Sequence, residues 1–165
     1  MLRWMAPFLS FTAEEAWASF GSSPSIFMET FSDLGLSDTA ASAKLLAKWE
    51  RLREIRDAAN KEIEAVRVQG KVGSSLQVNL RVSAAGKDHA LLASLGDDLK
   101  FVFITSAVDL VPGDQLSVQV TASQAAKCER CWHYRDDVGH DAQHPTLCGR
   151  CTSNLYGAGE VRSVA

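Results

Sequence analysis

Apolar residues recur at helical spacing over the first seventy positions and alternate over the next fifty. Leu45, Trp49, Leu52, Ile55, Ala59, Ile63 and Val66 step by three and four, which puts them on one stripe of a helix over residues 39–69. Gly70 supplies its stop. The side opposite the stripe is expected to carry Arg53, Arg56, Asn60 and Arg67, with Asp57 and Lys61 as an i,i+4 pair. Residues 1–20 also read as helical. Thr12-Ala-Glu-Glu15 has the form of a capping box, in which the Thr12 hydroxyl accepts from the Glu15 N–H and the Glu15 carboxylate reaches back to Thr12. Ala16, Trp17 and Phe20 follow, and Gly21 is expected to end the helix. Pro7 separates it from an apolar piece, Leu2 to Ala6. A chain that opens on so apolar a stretch is expected to belong to something larger. Residues 21–38 are rich in Ser, Gly, Pro and Asp and predict a loop, with Ile26, Phe27 and Phe31 folding back onto a helix.

The period then changes. Lys71-Val-Gly-Ser-Ser75 is a linker by composition. Leu76, Val78, Leu80 and Val82 alternate with Gln77, Asn79, Arg81 and Ser83, which predicts a half-buried strand. Lys87–Leu95 predicts a short helix ended by Gly96. Leu99–Thr105 is a continuous apolar run, read as a buried strand. Val111-Pro-Gly-Asp114 is a turn, and Leu116, Val118 and Val120 alternate as a last strand. The expected result is a β-α-β-β unit, too small for a substrate cleft of its own. It holds no Gly-rich phosphate loop, no Ser/His/Asp order and no paired carboxylates at a strand end.

At 46% hydrophobic, the 165 residues can bury a core and do not compose a disordered chain. A net charge of −3 argues against a protein that coats nucleic acid along its whole surface. The charge is uneven, however. Residues 1–43 carry −4, 44–71 carry +3, 72–126 carry −2, and 127–165 balance to zero. Any nucleic-acid contact is therefore expected on a local stripe, while a solvated helix face is the simpler account of the same bases. No run of 18 apolar residues predicts a membrane span. Met1–Phe11 is apolar but short, is followed by Glu14 and Glu15, and lacks a small-residue cleavage site, so it does not read as a signal peptide.

All four cysteines lie near the end: Cys128-Glu129-Arg130-Cys131, sixteen intervening residues, then Cys148-Gly149-Arg150-Cys151. Each tight Cys-x-x-Cys turn can aim both sulfurs at one ion, and the separation of the pairs is zinc-ribbon spacing. Tetrahedral Zn²⁺ with four thiolates at about 2.3 Å is the expected occupant. Two disulfides, an Fe–S site and a redox pair are the competing readings, but a redox pair needs one motif in a βαβ context. His133, His140 and His144 lie in the intervening loop and could replace a cysteine. The segment has too few apolar residues for a core, so metal binding is expected to supply its folding energy. Metal-spaced thiols predict a reducing, cytoplasmic setting.

Several stretches resemble one family. Leu2-Arg-Trp-Met-Ala-Pro-Phe-Leu-Ser-Phe-Thr-Ala-Glu-Glu-Ala-Trp17 resembles the anticodon-binding domain of class Ia aminoacyl-tRNA synthetases, where Ala-Pro and Phe-Thr-x-Glu-x-x-Trp recur. Lys71-Val-Gly-Ser-Ser-Leu76 is similar to the motif after the long helix of isoleucyl-tRNA synthetases. Lys127-Cys-Glu-Arg-Cys-Trp-His-Tyr134 with His144-Pro-Thr-Leu-Cys-Gly-Arg-Cys151 resembles the C-terminal zinc segment of the bacterial-type members. The last two motifs together are specific, and the resemblance runs along nearly the whole chain in order.

The resemblance implies an α+β fold: a helical anticodon-binding part (1–70), a small α/β junction (71–124), and a Cys₄ zinc module with a tail (125–165). It implies a non-catalytic C-terminal piece of a monomeric ligase, with one structural Zn²⁺. ATP chemistry is left to an absent upstream domain, whose His-x-Gly-His and Lys-Met-Ser-Lys-Ser signatures do not occur here. The implied partners are the anticodon stem-loop of an isoleucine tRNA and the rest of the synthetase chain, with no membrane. Phosphate-facing work falls to Arg53, Arg56, Lys61, Arg67 and Lys71. Base stacking or guanidinium contact falls to Arg130, Trp132, Tyr134, Arg135 and Arg150 around the metal. Trp132 reads equally as a shield for the sulfurs, and Arg130 and Arg150 as offsets to the −2 charge of Zn(Cys)₄. Two competing readings are the zinc-finger C-terminus of a DNA-repair glycosylase, which needs an N-terminal Pro where position 2 is Leu, and a zinc-stabilised protein-interaction module.

Overall fold

The computed structural model describes residues 1–20, 23–31, 35 and 40–160. They form two compact units, Met1–Ala43 and Lys44–Ala165.

The first unit begins with helices α1 (Leu2–Met5) and α2 (Ser10–Phe20). Its core is small: Ala6, Ala13 and Ile26, flanked by Leu2, Met5 and Trp17. The expected capping box at Thr12 does not form, because α2 starts two residues earlier. Ser10 Oγ donates back to Ala6 O at 3.0 Å, and Ala13 N–H bonds Leu9 O at 2.8 Å, so the turn around Pro7 leads directly into the helix. Glu14, rather than Glu15, turns its carboxylate inward. It accepts from Ser25 Oγ at 3.1 Å and from Ile26 N–H at 2.9 Å, tying a 3₁₀ turn at Ile26–Met28 to α2. Ile26 folds back as expected, whereas Phe27 and Phe31 stay exposed. Gly21 lies outside the described residues.

The second unit is built on α3 (Ala40–Val68), whose 29 residues span about 44 Å at 1.5 Å each. Leu52, Ile55, Ala59 and Ile63 are buried, and Trp49 and Val66 pack beside them. At 100° per residue, Arg53 and Arg56 flank this stripe rather than oppose it. Among the described residues, the helix's own ion pairs are Arg51–Glu54 and Glu64–Arg67, not Asp57–Lys61. Gly70 at φ 73° ends the helix, with Gly70 N–H on Arg67 O and Lys71 N–H on Val66 O, a Schellman motif. The following segment is no slack linker: Val72 is buried in the core, and Gln77 Oε1 accepts from Gly73 N–H at 2.9 Å.

Strand β1 (Val78–Ala84) buries alternate residues and is the centre of a three-stranded sheet of order β2-β1-β3. Helices α4 (Gly86–Ala93) and α5 (Leu99–Phe103) lead to β2 (Ala107–Pro112), parallel to β1, and β3 (Ser117–Ala122) returns antiparallel. The run at Leu99 is therefore a helix and not the expected strand. Leu99 and Phe103 are four apart and both buried on one face, a period that five apolar residues cannot reveal by themselves. The true strand follows, with Val108 and Leu110 partly buried between exposed Ala107 and Asp109. Pro112 ends it on an edge, where its missing N–H costs no ladder bond. Arg51 clamps α4 to α3 through Asp88, with Nε and Nη2 at 2.9 and 2.6 Å from the two carboxylate oxygens.

Candidate metal centre and nucleic-acid interface

The last part of the chain holds β4 (Ala126–Lys127), β5 (Tyr134–Arg135) and α6 (Gly149–Tyr156). The two short strands pair as a hairpin whose turn is the first Cys-x-x-Cys loop. Cys128 N–H bonds His133 O and Trp132 N–H bonds Cys128 O, both at 2.9 Å, closing that loop. Trp132 sits at φ 65°, in a region that glycine enters freely and tryptophan does not. The second pair lies at the start of α6. Cys148 occupies the N-cap position and Cys151 the first turn, where the positive end of the helix favours thiolates.

These turns bring all four sulfurs within 4.8 Å of one another. Four bonds of about 2.3 Å in a tetrahedron require S···S edges of about 3.8 Å, and Cys131 Sγ lies 3.7 Å from Cys148 Sγ. Donor chemistry agrees. Burial raises the Cys128 thiol, but N–H groups of Cys131, Cys148 and Arg130 outweigh it and bring it down to about 6. Burial pushes Cys131 up to about 12 and raises Cys148 as well, in both cases helped by neighbouring sulfurs. Only a cation lets all four ionise together, so the residues fit a Zn²⁺ ion. With four protein thiolates no position is left for water, and such an ion is structural. The three histidines are not ligands. His133 Nδ1 lies 3.2 Å from Cys131 O, His144 stacks on Tyr156 at 3.8 Å between ring centroids, and His140 is exposed.

Around the sulfurs, Arg130 Nη1 donates to Cys151 Sγ at 3.7 Å. Arg135 is held by Asp137, at 2.9 and 3.1 Å, and Arg150 by Glu160, at 2.6 and 2.7 Å. Arg150 also lies over the Phe101 ring, 5.0 Å from its centroid. Arg67 is held by Glu64. Arg53, Lys61, Lys71 and Arg130 are exposed and make no ion pair among the described residues. Trp132 is 59% exposed, with Lys127 Nζ 5.5 Å from its ring centroid. Tyr134 is half-buried, and its N–H donates to Ser106 Oγ at 2.6 Å. The structure thus groups Arg130 and Trp132 on one loop and Arg53 and Arg56 on one helix face. Asp137 is the contributor that sequence reasoning missed. Its carboxylate is held below its usual range by Arg135 first, and it also caps α6 through Gly149 N–H at 3.2 Å. Only its place eleven residues before the second pair signalled it.

Residues 126–154 match the zinc finger found in FPG and IleRS, a description that covers two kinds of protein. Residues 1–83, half of the chain, match the anticodon-binding domain of tRNA ligase. The chain belongs to that family. The whole chain is also similar to isoleucine–tRNA ligases: 56% identical to that of Cupriavidus pinatubonensis, 53% to that of Ralstonia pickettii and 54% to that of Burkholderia cenocepacia. It covers 18% of the length of each of these relatives. No helix among the described residues is long and apolar enough to cross a membrane.

Proposed function

We propose that this chain is the tRNA-holding part of a cytoplasmic, monomeric isoleucine–tRNA ligase. In this reading it grips the anticodon stem-loop of an isoleucine tRNA, while ATP-dependent aminoacylation is done by other parts of the ligase. The work of this chain is positional: no residue in it moves a proton or forms a bond. The observation that carries the reading is Trp132, more than half exposed in a left-handed conformation beside the four-cysteine cluster. A ring so exposed shields little sulfur, and Lys127 and Arg130 flank it with positive charge. That is the make-up of a stacking platform for an unpaired base. The full-length similarity to isoleucine–tRNA ligases supports the choice of RNA.

Arg53, Arg56, Lys61 and Lys71 are assigned to phosphates, where each adds salt dependence and no base identity. Arg67, Arg135 and Arg150 already face carboxylates, so their contribution to RNA needs an exchange of partners. The exposed Phe8, Phe11 and Phe20 of the first unit suit contact with the rest of the ligase. In the full-length ligase, Arg130→Ala and Trp132→Ala should raise KM for tRNA several-fold and leave isoleucyl-adenylate formation, read by pyrophosphate exchange, unchanged. An equal fall in adenylate formation would sink the positional reading.

A further inference from the structure

We propose that the hollow between α3 and the end of α5 is a second nucleotide pocket, taking one splayed base of a single-stranded RNA loop with its phosphate on Arg53 and Arg56. This rests on the RNA-binding reading above and adds a subsite about which that reading says nothing. The hollow has a volume of about 400 Å³, within the range of roughly 300–1,000 Å³ typical of small-ligand sites. Trp49, Leu52, Phe101, Val102 and Ile104 make its walls, and Arg53 and Arg56 are the charged groups that line it. Among the described residues no carboxylate lines it. Glu50, Glu54 and Asp57 follow the 100° step onto another side of α3, and Glu54 faces Arg51.

Two features ask for an anionic ligand with a flat apolar part. The Nε of Arg56 is buried without an acceptor among the described residues, a donor that a phosphate or base oxygen would satisfy. Filling the hollow with an apolar protein side chain would leave Arg53 and Arg56 facing no anion. Ile104 is the second feature. It stands at φ 56° and ψ 51°, where its own N–H closes α5, and a β-branched residue is among the worst suited to that region. Glycine would close the helix without strain, so the fold alone does not call for isoleucine. Ile104 is instead 45% exposed and forms the lip of the hollow. Strained backbone of this kind clusters at ligand-binding places, which supports a contact between this lip-forming side chain and a ligand. Bases stack on aromatic faces and guanidinium planes in RNA loops that splay them out.

The test uses the zinc-loaded chain and a 17-nucleotide isoleucine anticodon hairpin, read by fluorescence anisotropy, with each loop nucleotide replaced in turn by an abasic one. Ile104→Gly should unfold at the same or a higher temperature than the parent and bind the hairpin 5- to 20-fold more weakly. Arg56→Gln should weaken binding by a similar factor. One abasic position should cost the parent chain the same factor and cost Ile104→Gly nothing further. Parent-like binding by Ile104→Gly with every hairpin overturns the pocket while leaving the platform at Trp132 in place. No hairpin binding by the parent chain overturns both.

Discussion

The sheet unit and the cysteine module sit side by side in one compact body, yet they are held together by different physics. The sheet unit buries Val78, Leu80, Val82, Leu92, Leu99 and Phe103 against the α3 stripe. Its stability comes from apolar area removed from water and is spread over many side chains. The cysteine module has three buried sulfurs, with Cys131, Val138 and Leu147 beside them, too little apolar surface to offset the entropy of ordering its loops. Its stability is concentrated at one point. A distributed core degrades by increments, whereas a point contact is present or lost.

That contrast can be broken most forcefully at the metal. Removing zinc with a chelator, or replacing Cys148 with Ser, should cost the module most of the about 10–16 kcal/mol that structural zinc supplies to small fingers. Elemental analysis should fall from one zinc per chain to none, and amide exchange should lose protection from 126 to 156 but keep it in β1 and α3. Loss of protection in the sheet as well would mean that the two parts are one cooperative unit. Phe103→Ala is the converse experiment. It should destabilise the sheet unit by about 3–5 kcal/mol in a urea titration, with zinc content unchanged.

The smallest effect tests a surface clamp. Arg51 holds the Asp88 carboxyl below its usual range, chiefly through their hydrogen bonds. A depressed carboxylate contributes stability above its unfolded pKa of about 3.9, and loses it as pH falls through the lower folded value. The two side chains are 43% and 27% exposed, so solvent screening limits the gain to under about 1 kcal/mol. Asp88→Asn should therefore lower the urea midpoint slightly at pH 7, and the gap to the parent should narrow as pH falls below the unfolded carboxylate range. A gap that does not narrow with acid would show that packing, rather than charge, is at work.

The features most legible in the sequence were those with a long or rigid pattern. Four cysteines at ribbon spacing pointed to one centre, and six of the seven apolar residues at helical steps lie on the inward face of α3, Leu45 alone of them being exposed. Short stretches failed. Leu99–Phe103 is too brief to separate a helical from an extended period, and the strand after it was masked by Asp109 and Pro112. Thr12 carried a capping signature that a helix running on from Pro7 did not need. Positive φ at Trp132 and Ile104 left no trace, because nothing in those side chains announces it. Both became visible only with the backbone, and both lie on the surfaces proposed above for RNA.

Ser106 joins the two parts of this body. Its hydroxyl donates to Leu76 O at 2.5 Å and accepts from Tyr134 N–H at 2.6 Å. One oxygen atom thus bonds both the sheet and the finger, beside the contacts of Phe101 with His133 and Arg150. These contacts lie at the base of the finger, and Trp132 stands at its tip, so by plain geometry a small change of angle at the base would displace the tip further than the base. A buried serine outside the proposed RNA surface is therefore one of the groups that set where that surface points.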